Sequence, residues 1–384
     1  SKLSSYTQEI FSGISVIKSF ELKNRININL FSLSNLAQNK NMSLAKVQAW
    51  FFPLMILMIG ISNLLVILIG GNLFINGKIE LGVIAEFIVY INMLTWPVMA
   101  VGWITSIVQQ AEASQKRINE FLNIKSSIKD GKGVKSKITG NVSFKSVSLI
   151  YPETNIKALD SISFSLESGK TMGVVGHIGS GKSTLLDLIP RLYDPKKGSI
   201  YIDNYPIKDF KINELRKHIG YVPQNGFLFS GTIEENIIFG NHKKTKDDMF
   251  EVSKKACIHD NIMMFKNDYK TLIGERGVTL SGGQIQRLTI ARAFIKNPKI
   301  LLLDDCLSAV DTETEEKILR NIKEIRKNKT TIIVSHRIST VKRSDKIIVL
   351  KNGKIIQSGT HKNLIHKNGY YRNLNEKQKN EKQN

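Results

Sequence analysis

Eight residues, Gly176-His-Ile-Gly-Ser-Gly181-Lys182-Ser183, carry the spacing G-x-x-x-x-G-K-S. Glycines at those places let consecutive backbone N–H groups turn toward one point, and an amine and a hydroxyl follow directly. Such a loop suits a phosphate chain: the N–H groups and the positive end of the next helix wrap the anion, Lys182 pairs with the β- and γ-phosphates, and Ser183 offers its hydroxyl to Mg²⁺. Gly176, Gly179, Ser180, Gly181, Lys182, Ser183 and Thr184 are the expected nucleotide contacts. Downstream, Lys299-Ile-Leu-Leu-Leu-Asp304-Asp305 is an apolar run ending in two carboxylates. A buried strand of that kind can hold Asp304 beside a magnesium shell; the ordinary alternative is an acidic pair capping a strand at the surface. A third element, Leu280-Ser281-Gly282-Gly283-Gln284, opens the helical pattern QIQRLTIARAFI. It could form a second anion site from backbone donors and helix dipole, or simply be a glycine-rich turn before a helix.

The elements that must position these groups are readable around them. TMGVV precedes the glycine loop as a strand and STLLDLI follows it as a helix, which is the context the loop requires. The β-type runs VSFKSVSLI, SISFSL, KILLLD, TTIIVS and KIIVL alternate with helical segments. Strands alternating with helices predict an α/β domain with a largely parallel sheet, assigned here to residues 141–384.

The first third of the chain reads differently. No residue between Lys46 and Lys78 is charged, and a second uncharged stretch, Phe87 to Ala111, contains Trp96, Pro97 and Trp103. Each is long enough to cross a hydrocarbon core of ~30 Å, so spans are expected at about 50–71 and 83–108 within a membrane region of residues 1–122. Lys18, Lys23, Arg25, Lys40 and Lys46 precede the first span and Lys116 and Arg117 follow the second, whereas Lys78 is the only basic residue in the loop between. The excess of Lys and Arg at both ends places them in the cytoplasm and the short loop outside. Pro97 is expected to mark a kink. Residues 123–140, NIKSSIKDGKGVKSKITG, are polar with no apolar period and read as a linker.

With 55 Lys+Arg against 33 Asp+Glu, the net charge is +22. The lysines are scattered rather than massed in one run, so the charge reads as a solvated face and not as a nucleic-acid surface. Cys257 and Cys306 fit neither a metal spacing nor a disulfide framework. The chain opens at Ser1 inside a helical pattern, from which a fragment or a truncated gene product is expected.

Taken together, the glycine loop, the Asp pair and the LSGGQ pentapeptide resemble those of the ATP-binding-cassette (ABC) transporter family, exporter type. The resemblance implies an α-helical transmembrane segment, two spans of a six-helix exporter domain with four helices missing, joined to an α/β P-loop NTPase domain with an α-helical subdomain. It implies ATP and Mg²⁺ as ligands, a second half-transporter as partner, a lipid bilayer around the spans and a small amphipathic substrate. The setting is then a plasma (inner) membrane, with the nucleotide-binding domain in the cytoplasm.

Other residues acquire roles only through this resemblance. Tyr151, 31 residues before Lys182, matches the aromatic that stacks on adenine. Gln224 matches a glutamine that senses Mg²⁺ beside Ser183 and Asp304. Ser281, Gly282, Gly283 and Gln284 match the signature that reaches the partner's ATP, and Asp311, in Ser308-Ala-Val-Asp311, matches a loop at the dimer interface. His336 matches the histidine that contacts the γ-phosphate. Residues 7–25 resemble the segment with the second coupling helix, Gly274-Glu-Arg-Gly277 a segment that touches coupling helices, and the stretch from Gly359 the family's C-terminal end.

One position departs from the family. Where the usual pattern has a Glu that polarises the attacking water, this chain has Asp305. The carboxylate is drawn back by roughly 1.5 Å. That resembles the degenerate-site subunit of a heterodimeric multidrug exporter and implies a slow site of its own, with an intact signature for its partner. Retention of His336 leaves residual hydrolysis open. The alternatives are a homodimeric lipid or peptide exporter and a regulatory ATP-binding subunit. DNA-repair and chromosome-maintenance ATPases share the two motifs but separate them by long coiled coils or zinc modules, whereas Ser183 and Ser281 are 98 residues apart with neither between.

Overall fold

The uncharged stretch before Lys78 has no means of being solvated by water, and in the computed structural model it lies inside one helix, Lys23–Ile75. Residues 2–134, 136–241, 244–274, 280–325 and 329–380 are described. Contacts divide the chain into two units, residues 1–125 and 126–384.

In the first unit, the 53 residues of Lys23–Ile75 and the 42 of Leu81–Leu122 form an antiparallel hairpin through residues 76–80. At 1.5 Å per residue these helices are roughly 80 and 63 Å long, well beyond the ~30 Å of a hydrocarbon core. Each therefore continues past the uncharged stretch, and Lys23, Arg25, Lys40 and Lys46 sit on the extension of the first. Their most apolar 18-residue windows have mean hydropathies of 2.6 and 1.6 and are 0% buried within the chain, so these faces are left for lipid or for other helices. Where the two helices touch, small residues admit large ones: a Cβ on Gly70 would lie 3.0 Å from the Ile84 side chain, and one on Gly102 3.4 Å from the Phe51 ring. Pro53 and Pro97 both lie inside helices that run through them unbroken. The segment matched to the coupling region breaks at Gly13 between helices Lys2–Ser12 and Ile14–Ser19, then turns at Glu21, whose φ is 52°.

The second unit contains strands β1 (Val142–Ile150), β2 (Lys157–Leu166), β3 (Thr171–Gly176), β4 (Lys197–Ile202), β5 (Tyr205–Pro206), β6 (Ile219–Val222), β7 (Gly231–Thr232), β8 (Leu272–Ile273), β9 (Ile300–Asp304), β10 (Thr330–Val334), β11 (Lys346–Lys351) and β12 (Lys354–Gly359). Six of them form a sheet in the order β12-β11-β3-β10-β9-β6. All its pairings are parallel except β11 with β12. Its central strands are buried along their length, which explains why TMGVV, ILLLD and TTIIV read as continuous apolar runs. A separate antiparallel sheet, β2-β1-β4-β5, packs Phe144, Leu159 and Ile200 into the same core. Strand–helix alternation gave no sign of this second sheet, because β1 and β2 form a hairpin and β4 returns from a distance.

A second core gathers Ile233, Met249, Ile262, Leu288 and Ile290. They come from helix Gly282–Ile295 and from the short helices packed around it, which make up a helical part of this unit. The polar stretch read as a linker is tied to the domain from Lys129 on: Arg191 donates to the Lys129 carbonyl at 3.2 Å, and Asp203 accepts from the N–H groups of Thr139, Gly140 and, just beyond the stretch, Asn141 at 2.6, 3.0 and 2.8 Å.

Candidate nucleotide site

Register decides which side chains meet. Val334 of β10 pairs with Asp304 of β9 and with Val174 of β3, while Leu350 of β11 pairs with Gly176. The C-terminal ends of four neighbouring parallel strands are therefore level. The glycine loop after β3, the Asp pair at the end of β9 and the turn after β10 must emerge together there. In open α/β sheets this is where ligands bind.

The loop after β3 turns without room for side chains. Gly181 has φ 93°, and a Cβ on it would lie 2.4 Å from the Ala158 carbonyl oxygen; one on Gly176 would lie 2.2 Å from that of Leu350. Gly181 then caps helix Lys182–Leu188. The Lys182 ammonium turns back on the carbonyls of Gly176 and His177 at 3.1 and 2.8 Å. The Ser180 hydroxyl is buried and has no hydrogen-bond partner among the described residues. A buried hydroxyl left open and an ammonium resting on carbonyls fit a loop shaped for an anion.

A cleft of about 580 Å³ opens over this loop. It is lined by Tyr151, Gly179, Ser180, Gly181, Lys182, Ser183, Thr184, Gln224, Asp304, Asp305 and His336, so most of the expected site residues meet in one place. Gly176 lies at the strand end beneath the loop. Tyr151 bonds through its hydroxyl to Thr184 Oγ1 at 2.9 Å and packs edge-on against Tyr193. Ser183 hydrogen-bonds Asp304, so a hydroxyl and a carboxylate already share one spot, a pair of oxygens that suits Mg²⁺.

Burial has not been compensated inside the cleft. Desolvation pushes the carboxyls of Asp304 and Asp305 above the usual carboxylate range, against the pull of Ser183 on the first and of His336 on the second. Burial likewise lowers the Lys182 ammonium and the His336 imidazole, and Lys182 lowers His336 further. Asp305 has φ 41°, a region Asp tolerates better than most residues. Its N–H donates to the Val334 carbonyl at 3.0 Å, and its Oδ1 lies 3.4 Å from His336 N, a long contact for a hydrogen bond.

The signature residues lie elsewhere. Ser281 caps helix Gly282–Ile295, its hydroxyl accepting from Gln284 N at 3.3 Å while Gln284 Oε1 accepts from Ser281 N at 2.9 Å. Gln286 joins this helix to the following loop through Ser308 Oγ at 3.3 Å and Ala309 N at 3.0 Å. A Cβ on Gly283 would lie 2.8 Å from the Ala309 carbonyl oxygen, so the approach of helix and loop requires a glycine there. Asp311 accepts from Thr314 N at 2.9 Å at the start of the next helix. Residues 281–284 and 308–311 thus make one surface of their own, and none of them lines the cleft. Of Gly274-Glu-Arg-Gly277, residues 275–277 lie outside the described residues.

Sequence reasoning missed Asp187. It accepts from the Tyr221 hydroxyl at 2.9 Å, burial raises its carboxyl above the usual range, and its charge adds to the upward shift of Asp304. No motif marks it. Its helical register, five residues beyond Lys182, was the only available signal.

Two family models match: residues 159–308 fit the model described as ABC transporter, and residues 1–98 the ABC transporter transmembrane region. The chain carries the transmembrane region and the ATP-binding domain of an ABC transporter. Among curated relatives, it is 40% identical over 377 residues to the uncharacterized ABC transporter ATP-binding protein YknU of Bacillus subtilis, a match covering 97% of this chain and 64% of that protein. It is 37% identical to the multidrug resistance-like ATP-binding protein MdlA of Escherichia coli, covering 97% of this chain and 63% of that one. This ABC chain therefore spans less than two thirds of the length of these relatives. A solved bacterial Atm1-family ABC exporter with ATP bound is similar at a TM-score of 0.91 and 28% identity, over 98% of this chain and 67% of that one.

Proposed function

We propose that this chain is an ATP-binding and transmembrane subunit of an ABC exporter, coupling ATP binding and hydrolysis to outward movement of small amphipathic compounds. Its working form is a dimer with a second half-transporter in the plasma (inner) membrane, with both nucleotide-binding domains in the cytoplasm. The observation that carries the reading is the cleft in which Lys182, Gln224, Asp304, Asp305 and His336 converge on level ends of parallel strands. Relatives whose names include multidrug resistance support the substrate class. The basic residues at the outer ends of the hairpin support cytoplasmic ends.

Within the cleft, the loop N–H groups and Lys182 bind the phosphates, Tyr151 offers a ring to the base, and His336 contacts the γ-phosphate. Ser183, Gln224 and Asp304 would hold Mg²⁺, which when bound offsets phosphate charge. Asp305 is the residue placed to orient water. The separate surface of Ser281, Gly282, Gly283, Gln284 and Asp311 serves the partner's nucleotide, so each complete site draws on two chains. Because Asp305 is shorter than Glu, the site on this chain's own phosphate loop is the slow one, and the partner is a different subunit.

The test is steady-state ATPase of the assembled transporter in nanodiscs. Ser281→Arg, which blocks the surface facing the partner's nucleotide, is expected to remove nearly all turnover. Lys182→Ala is expected to abolish binding at this chain's own loop while leaving much of the turnover. Equal loss from both changes would refute the asymmetry. One observation favours a symmetric homodimer instead: Asp305 keeps a histidine beside it, with Oδ1 3.4 Å from His336 N. Under that second reading Lys182→Ala and Ser281→Arg are equally damaging.

A further inference from the structure

The helix Tyr370–Asn380 has a buried stripe at helical spacing: Tyr371 is fully buried, Asn375 is buried and Leu374 packs against the same core as Ile338 and Val341. The next position on that stripe, seven residues after Tyr371, is Gln378 rather than an apolar residue. Both ends of its amide are engaged. Nε2 donates to the His336 carbonyl at 2.6 Å, and Oε1 accepts from the Ile338 N–H at 2.8 Å. One side chain therefore clamps the backbone on both sides of Arg337.

The clamp is itself anchored. The Tyr371 hydroxyl bonds with His361 Nδ1 at 2.8 Å, and its N–H donates to Gln357 Oε1 at 3.1 Å. At the other end of the helix, the Tyr370 ring rests on that of His177, in the glycine loop, at 4.3 Å between centroids. A single helix thus touches the loop that holds Lys182 and the turn that carries His336. By contrast, the contact of His336 N with Asp305 is long, at 3.4 Å.

We propose that Gln378 is a positioning residue that sets His336 at the distance needed to sense a γ-phosphate, so that it governs discrimination between ATP and ADP. This rests on the nucleotide reading above and extends it to a residue outside every motif. Gln378 touches no nucleotide; it acts through the His336 and Ile338 backbone. Loss of its clamp releases His336, which weakens the contact only ATP can make and leaves those that ADP shares.

The experiment is equilibrium binding of Mg-ATP and Mg-ADP to the full chain in nanodiscs, read as the ratio of the two affinities. Gln378→Leu keeps the bulk on the stripe and removes both hydrogen bonds. It is expected to weaken ATP roughly 3- to 10-fold, the worth of about one hydrogen bond, with ADP unchanged. Gln378→Glu keeps the acceptor for Ile338 but sets a carboxylate oxygen against the His336 carbonyl, and should weaken ATP at least as much as Gln378→Leu. Arg372→Ala, on the same helix but bonded to Glu376 and Asn368, should change neither affinity. Hydrogen exchange across residues 336–340 should rise in Gln378→Leu and not in Arg372→Ala. An unchanged ATP/ADP ratio, or equal weakening of both nucleotides, overturns the proposal while the nucleotide site stands. Failure of the unaltered chain to bind either nucleotide overturns both.

Discussion

Lengthening Asp305 by one methylene, Asp305→Glu, is expected to quicken the site on this chain's own phosphate loop. The reason is geometric. The Asp305 backbone is held by its N–H to the Val334 carbonyl, so the carboxylate cannot advance by shifting the chain. Within the cleft its Oδ1 is drawn toward the turn after β10, 3.4 Å from His336 N. A glutamate carries the carboxylate about one C–C bond further, roughly 1.5 Å. A misplacement of about 1 Å can cost ~10²-fold in rate, so restoring the reach should return up to ~10²-fold, or ~2.7 kcal/mol of barrier. The assay is ATPase of the assembled transporter with the partner's phosphate-loop lysine changed, so that only this site turns over. Asp305→Asn, measured in the otherwise unaltered transporter, should cost less than about threefold if, as proposed, this site contributes little of the turnover. If Asp305→Asn is as damaging as Ser281→Arg, Asp305 is a working base and the slow-site reasoning fails.

Gly181→Ala should destabilise the ATP-binding domain and weaken nucleotide binding together, because φ 93° costs about 1–2 kcal/mol for a residue with a Cβ and the Ala158 carbonyl stands 2.4 Å away; thermal unfolding with and without ATP measures both, and an unshifted Tm would contradict the geometry. Acid should destabilise the domain from below about pH 6.5, where an unfolded histidine takes its proton. Burial lowers His218, His336 and His361, so the unfolded chain binds more protons through that window and stability is lost as pH falls. Asp187, Asp304 and Asp305 work the other way, since raised carboxyls take up protons in the folded state first and recover some stability at lower pH. Tm measured from pH 7.5 to 5.5 should drop, with a shallower slope in His361→Gln; a flat profile would refute the burial argument.

The parts legible in the sequence were those whose constraint is local. The glycine loop needs its glycines where a Cβ would strike the Ala158 and Leu350 carbonyls, and any chain making that turn must spell them. The strands β3, β9 and β10 are buried on both faces, which forces unbroken apolar runs that no helix period explains. The spans were legible by length, but not their extensions, because a lysine-bearing helix leaving a membrane looks like any polar helix. What stayed hidden was set by distant pairing. β4 joins β1 through the register Phe144 with Ile200, and Asp203 fastens Thr139 across 64 positions of sequence, neither of which leaves a spacing to read.

The same distinction separates the two kinds of site residue. Asp304 ends β9, His336 lies two residues past β10, and Lys182 and Ser183 follow the glycine loop after β3, so aligning the parallel strands brings them close together, and their motifs are short because the sheet does the rest. Gln378 reaches the same place from a helix after the last strand, guided by a stripe of Tyr371, Leu374 and Asn375 that reads only as an amphipathic surface helix. The groups that line the cleft are therefore legible from short motifs, whereas a residue that bonds the backbone of the turn carrying the histidine is visible only in that turn's hydrogen bonds.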